Sequence, residues 1–432
     1  MGSWDRASWS TGVESGVPRR DRRSGDYWCY VPDGLAGAPV VLDKVNDALI
    51  ADAERQVRML REAGRDLAGI ARFLLRSEAI ASSRIEGIAP SARQVALAEL
   101  GQSEDVKGIS EQAQLVANNM TVVREATTRL VEVERVTPTD IEALHRCLLP
   151  LDPRHHGLRV VQNWIGGSDW HPLDADFVPP APEAVPAAVD DLVAYLNGAV
   201  HSPLVQAALV HAQFETIHPF TDGNGRVGRA LIHTVLARRG LTPDAVLPIS
   251  LVLSTLHETY VGGLTAYRYD ASPASAEGTA AWAGWVRTFA EATMQACEQA
   301  TQLAEELGEL RQDWEERIAA HRATRGTTRA LRSDSATAAI LVDLPSTPVL
   351  TVQTAQRIHQ VSHVAAGRAL EELREAGVVE TKSIGPGRQS YVSNDVLDII
   401  TWAERRLAST KFDTRARRPH PWAPAPAPHR AR

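Results

Sequence analysis

The sequence predicts a mainly α-helical protein with one β-hairpin inserted in its body and a smaller C-terminal module of helix, turn, helix and hairpin. Three observations carry this expectation. Apolar residues recur at three- and four-residue spacing through most of the chain, the period of one helix face. One stretch, GLRVVQNWIGGSDWHPLDADFVPP from Gly157 to Pro180, breaks that period with two extended runs about a glycine pair and ends in a proline stop. A composition shift at HRATRGTTRALRSD, rich in Ala, Arg and Thr, then sets off roughly the last hundred residues.

The elements follow in order. Residues 1–25 read as a basic N-terminal tail, with Arg19, Arg20, Arg22 and Arg23 solvated. Helical periodicity covers 42–76, 109–132, 139–149, 182–197, 203–217, 226–239 and 280–320. Thr137 to Asp140 has the spacing of an N-terminal cap, and Gly240 after Arg238 and Arg239 that of a C-terminal one. These segments divide into an N-terminal helical region (26–110), a core (111–320), a linker (321–333), the C-terminal module (334–410) and a basic, Pro-rich, disordered tail (411–432).

Composition bounds the function. A chain of 432 residues with 44% hydrophobic content can bury a large core. Cys29, Cys147 and Cys297 form no CxxC pair, so neither a disulfide framework nor a thiolate zinc site is indicated and a reducing, cytoplasmic setting is expected. No apolar run approaches the roughly 18 residues of a membrane span. A net charge of −7 argues against wholesale nucleic-acid binding.

In the C-terminal module, 351–359 and 362–376 read as two helices joined by a tight turn, Gly377 caps the second, and VVETKSIGPGRQSYVS follows as a hairpin. The arrangement resembles a winged helix-turn-helix domain. Its second helix offers His363 and Arg368 but also Glu371, Glu372 and Glu375, a poor match to phosphate, while the hairpin adds Lys382 and Arg388; DNA and protein contact stand as equal alternatives.

The densest chemistry lies in ETIHPFTDGNGRVGRALIH, from Glu215 to His233. An apolar helix ends near Ile217, and Pro219 forces the chain out of it, holding His218 at the exit. Gly223, Asn224 and Gly225 then offer consecutive backbone amides at the positive end of the next helix, a cradle for an anion. Arg226 and Arg229, at i and i+3, stand beside it. Two arginines and a nest suit a polyphosphate, Asp222 suits Mg²⁺ held against phosphate, and His218 remains as a proton acceptor titrating near pH 7. Each of these residues taken singly has a structural explanation. Their juxtaposition within twelve positions does not.

The run from His218 to Arg229, HPFTDGNGRVGR, matches the Fic family motif HPFx(D/E)GNGRxxR at every defined position, so the sequence resembles the Fic family. The hairpin with QNWIGG and FVPP resembles the family's flap, and SLVLSTLHETYVGGLTAYR its pocket-closing helix, over roughly residues 25–310. The resemblance implies a Fic-type helical bundle with a β-hairpin flap, and transfer of AMP from ATP to a protein Ser, Thr or Tyr hydroxyl with release of pyrophosphate. It implies His218 as general base, Asp222 as the Mg²⁺ acceptor, Gly223, Asn224 and Gly225 as the phosphate cradle, Arg226 and Arg229 as the clamp, and Tyr260 beside the adenine, where a core position is the alternative.

A second stretch answers the first. Ser82-Ser83-Arg84-Ile85-Glu86-Gly87 matches the family's inhibitory motif (S/T)xxxE(G/N), and Ser82 and Glu86 share a helix face. A glutamate delivered to the cradle would pair with Arg229 and displace the terminal phosphate. At the flap, Ile165, Gly166 and Gly167 are expected to dock an extended target segment by strand addition. A homodimer and self-modification also follow from the resemblance. Two other functions stay open: a hydrolase removing AMP at the same site, and a DNA-binding regulator whose Fic domain senses nucleotide. His155, His156 and His171 follow no metal-ligand spacing.

Overall fold

The computed structural model describes residues 2–11, 17–37, 42–62, 68–198, 200–272, 274–326 and 331–412. The first element departs from expectation. β1 (Ser3–Trp9) pairs antiparallel with β2 (Gly25–Val31), Ser3 opposite Val31 and Trp9 opposite Gly25, so the first 25 residues are not simply a solvated tail. Trp4 packs edge-on against Tyr30, whose hydroxyl donates to the Tyr269 carbonyl at 2.8 Å, and these aromatic contacts hold the two strands to the body.

The periodic run 42–76 is two helices rather than one: α1 (Lys44–Glu62) and α2 (Ala71–Ile85), the second entered through a 3-10 turn at Ala68–Ile70. REAGRDLAGI carries two glycines between them, which weaken a continuous helix. α3 (Ala92–Gly101) starts at a capping box of Ser91 and Gln94. Next come α4 (Glu111–Thr127), α5 (Arg129–Glu132) and α6 (Pro138–Leu148), the last started by the expected box of Thr137 and Asp140.

Between α6 and α7 (Val185–Leu196) the expected hairpin is not formed as two regular strands. Pairing is confined to isolated bridges, Ile165 with Phe177 and Ser168 with His171. The side chains here bond elsewhere than in a ladder: Gln162 donates to Pro179 O at 3.1 Å, and Asn163 to Phe220 O, outside the hairpin, at 3.0 Å. The centre of the body is α8 (Pro203–Ile217), buried from Leu204 to Ile217, packed along α9 (Asn224–Arg238). Gly228 permits that approach, since a Cβ there would stand 2.7 Å from Glu215 Oε1 and 2.9 Å from Phe214 Cδ1. Gly228→Ala is therefore expected to lower stability by about 1–3 kcal/mol through overpacking, read as a lower denaturant midpoint at unchanged slope. α10 (Ile249–Thr255), α11 (His257–Tyr267) and the 49-residue α12 (Ala276–Thr324) complete the body.

The C-terminal module runs α13 (Ala336–Asp343), β3 (Val349–Leu350), α14 (Val352–His359), α15 (His363–Glu375), β4 (Glu380–Gly385) and β5 (Arg388–Val392), with strand order β3-β5-β4, so that α14 to β5 follow the expected order of helix, turn, helix and hairpin. A further helix, α16 (Asn394–Phe412), follows. The tail expected at 411–432 lies outside the described residues beyond Phe412. The carboxylates of α15 turn to internal partners: Glu372 accepts from Arg322 at 2.7 Å and Thr337 at 2.6 Å, Glu375 accepts from Arg325 at 2.7 Å, and Glu371 pairs with Arg374. Their charges are thus compensated, which the sequence does not show. The module also grips α2. Arg76, fully buried, donates to Ser346 O at 2.7 Å and Pro345 O at 3.2 Å, and Arg84 pairs with Glu404 of α16. Among the described residues no helix is long and apolar enough to cross a membrane.

Candidate active site

The site begins where α8 stops. His218 is its C-cap in the left-handed region, φ 50°, a conformation a non-glycine residue holds only when its surroundings impose it. Pro219 prevents continuation of the helix, and Arg159 supplies the brace: its guanidinium donates to the carbonyls of His218 (2.8 Å), Ile217 (3.3 Å) and Pro180 (2.5 Å). The loop beyond is locked by Asn224, whose Oδ1 accepts from Phe220 N at 2.8 Å and whose Nδ2 donates to Phe220 O at 2.7 Å. The Asn224 side chain thus shapes the cradle and is not one of its free donors. His145 stacks on the Phe220 ring at 3.9 Å and donates from Nε2 to the Asp222 carbonyl at 2.9 Å. Burial lowers the His145 pKa to about 4, so the ring is neutral as it does so.

Gly223, at φ 77°, turns the chain into α9, whose first amides face the cradle. Arg226 is 2% exposed, its Nη2 lies 3.5 Å from Asp222 Oδ1, and its Nε and Nη1 have no partner within the described structure. Buried guanidinium donors left unpaired are costly, and oxyanions are the partners a guanidinium pairs with most strongly. Asp222 is half-exposed, and its Oδ1 also accepts from Gly223 N at 2.7 Å.

Arg229 is buried and engaged by the end of α2. Its Nε donates to Ser82 Oγ at 2.9 Å, and its Nη2 to Ser82 O and to Glu86 Oε1, each at 2.8 Å. A Cβ on Gly225 would collide with Glu86 Oε1 and stand 2.8 Å from Arg229 Nη1, so the carboxylate lies directly over the cradle. Burial pushes the Glu86 pKa up, but the charge and hydrogen bond of Arg229 overcome it, and the net shift is down. Gly87, at φ 76°, ends the segment just after Glu86. The two stretches singled out in the sequence thus meet in space.

His218 differs from the near-neutral titration expected of it. Burial lowers its pKa to about 4, against the Glu215 carbonyl and the Glu86 charge, which raise it. Tyr260 is 3% exposed, its ring stacked on His211 and its hydroxyl 2.8 Å from His211 Nε2, so it stands in the core, the alternative to a place beside the adenine. At the flap tip Gly166 and Gly167 have positive φ, but Ile165 N donates to Phe177 O at 2.8 Å and Asp176 N to Ile165 O at 2.9 Å. The Ile165 donor expected to be free for a target strand is thus spent within the flap, as is that of Asp176 opposite. His155 bonds Thr221 Oγ1 at 2.7 Å, His156 bonds Leu149 O at 2.7 Å and His171 is buried, and no cluster of three or more His, Cys, Asp or Glu fit for a metal occurs among the described residues. Arg159 and His145 complete the site from outside the motif, and no spacing in the sequence marks either of them.

Residues 135–236 match the family model described as "Fic/DOC family". Over 154 residues the chain is 32% identical to the protein adenylyltransferase of Caenorhabditis briggsae, covering 34% of this chain and 28% of that one. A probable protein adenylyltransferase of Aquifex aeolicus is 37% identical over 98 residues, 22% of this chain and 31% of the relative. The chain thus spans under a third of the length of these curated relatives. A solved Fic family protein of Desulfovibrio desulfuricans superposes with a TM-score of 0.50 at 22% identity, covering 82% of this chain and 97% of that one, a likeness of fold. The histidine at the helix exit, the glycine cradle and the two buried arginines all fall inside the segment, residues 135–236, that matches the Fic/DOC family model.

Proposed function

We propose that this protein transfers AMP from ATP to a hydroxyl side chain of a protein target, and that Glu86 restrains it. The observation that carries the reading is Arg226, buried in the first turn of α9 beside the Gly223 to Gly225 cradle with two donors unpaired, across a short loop from a neutral histidine at the end of α8. Triphosphate would lie along the cradle with Arg226 and Arg229 on its oxygens. The target oxygen attacks the α-phosphorus as its proton passes to the His218 imidazole, the bond to the β-phosphate oxygen breaks, and pyrophosphate leaves. Arg159 fixes the histidine backbone for that transfer.

Mg²⁺ fits this site together with phosphate: Asp222 offers one half-exposed carboxylate, and the ion ordinarily takes one or two carboxylates plus phosphate oxygens. Bound there, it would offset charge on the departing pyrophosphate. Asp222→Ala is expected to weaken the dependence of transfer on Mg²⁺, measured as rate against Mg²⁺ concentration; an unchanged curve would remove Asp222 from that role.

Incubation of the protein with α-labelled ATP and cell lysate tests the function. Label carried into protein, retained after denaturation and lost in Arg226→Ala, supports transfer. Release of AMP from pre-labelled protein without incorporation would assign the hydrolase instead. Arg229→Ala should weaken ATP more than ADP in calorimetry, because its partner is the terminal phosphate. Equal losses would place Arg229 elsewhere.

A further inference from the structure

A cavity of about 330 Å³ lies between α2, α3 and the winged-helix module, outside the transfer site. Three guanidinium groups border it, Arg72 and Arg76 one turn apart on α2 and Arg357 on α14, against one carboxylate, Glu99. Arg76 is fully buried and immobile, held by Glu99 Oε2 at 2.9 Å and by the carbonyls of Pro345 and Ser346. Arg72 donates from Nε to Glu99 Oε1 at 2.8 Å but leaves nearly half of its side chain in solvent. Arg357 reaches Ser103 Oγ at 3.2 Å and has no carboxylate partner among the described residues.

The charge balance of the walls is three positive against one negative, an excess of two. In a recess between two packed units this excess is screened less than on open surface. Gln102 borders the same space, Thr354 donates its hydroxyl to Glu104 and is not free for a ligand, and Pro348 and Ile358 offer an apolar side. The volume is at the small end of ligand pockets, which run from about 300 to 1,000 Å³. That excludes a polymer and suits a compact molecule.

We propose that this cavity binds a small oxyanion carrying at least two negative charges, gripped by Arg72 and Arg357 from opposite walls with Arg76 as the fixed charge between them. Polycarboxylates and phosphate compounds share that chemistry, and guanidinium groups pair with either through parallel N–H donors.

Calorimetry on the full chain with citrate and with pyrophosphate tests this, because the two probes separate the sources. Saturable heat is expected with at least one of them, weakened about tenfold or more by Arg357→Glu and by Arg72→Gln, and kept in Arg229→Ala. Both changed positions are solvent-facing, so thermal unfolding of the variants should match the parent. Stronger binding of citrate would assign a polycarboxylate, and stronger binding of pyrophosphate a phosphate compound. Absence of saturable heat with both probes at millimolar concentration overturns the proposal. So does binding that survives Arg357→Glu, or that is lost in Arg229→Ala, which would place the anion in the transfer site.

Discussion

Glu86→Gly is expected to raise AMP transfer, including self-modification, by roughly ten- to a hundredfold. The Glu86 carboxylate lies over Gly225 and takes one Nη2 bond of Arg229 at 2.8 Å, so it stands where the cradle's anion would stand. It is ionised at neutral pH, because Arg229 lowers its pKa in spite of burial. Two anions cannot share one guanidinium and one nest, so bound Glu86 and a terminal phosphate compete. A hydrogen bond between charged groups contributes about 1.5–3 kcal/mol, and each 1.4 kcal/mol is about tenfold. Ser82 keeps its own two contacts with Arg229, so the variant loses the competitor without losing the whole of the α2 attachment. Mass spectrometry for added AMP on the protein or on lysate targets is the measurement. Labelling equal to or below the parent's, with thermal unfolding unchanged, would refute restraint by Glu86.

His218→Ala should reduce transfer by about 10²–10⁴, the usual worth of a positioned base, while ATP binding stays within a factor of about two. The Glu86→Gly, His218→Ala double variant should be as inactive as His218→Ala alone, which separates relief of restraint from a loosened fold. The pH dependence has a definite sign. The active form is the neutral imidazole, and burial lowers its pKa to about 4, so transfer should hold its rate from pH 7 down through the ordinary histidine range and fall only below it. Glu86 raises that pKa, and its removal should move the acid limb to still lower pH. A half-maximal rate near pH 6.5 in the Glu86→Gly protein would mean that another group is titrating.

Contacts between residues close in the chain are legible in the amino acids alone. The exit of α8 at Pro219, the cradle at Gly223 to Gly225, and the placing of Arg226 and Arg229 on one turn depend on φ restriction, glycine freedom and helical period, which act over a few residues. The helix-turn-helix of the C-terminal module is legible for the same reason: Ser362 caps α15 through Ala365 N, and Gly377 at φ 73° follows its end. Residue types within a dozen positions therefore determined the chemistry available to this protein.

Tertiary structure decided how that chemistry is held. Arg159 reaches the His218 carbonyl across 59 positions and Arg229 reaches Glu86 across 143, and no local rule relates such residues. The depressed pKa of His218 is a desolvation effect, so it exists only once the folded chain surrounds the half-buried residue. The flap shows the opposite failure: two extended runs about a glycine pair pointed to strands, but Gln162 and Asn163 spend their amides on carbonyls brought near by folding, and only isolated bridges remain. The acidic face of α15 is compensated in the same way at two of its three glutamates, since Glu372 and Glu375 found Arg322, Arg325 and Thr337 on neighbouring elements. Period and caps are properties of a short peptide, whereas partners, burial and charge compensation belong to surfaces that meet only in the folded chain.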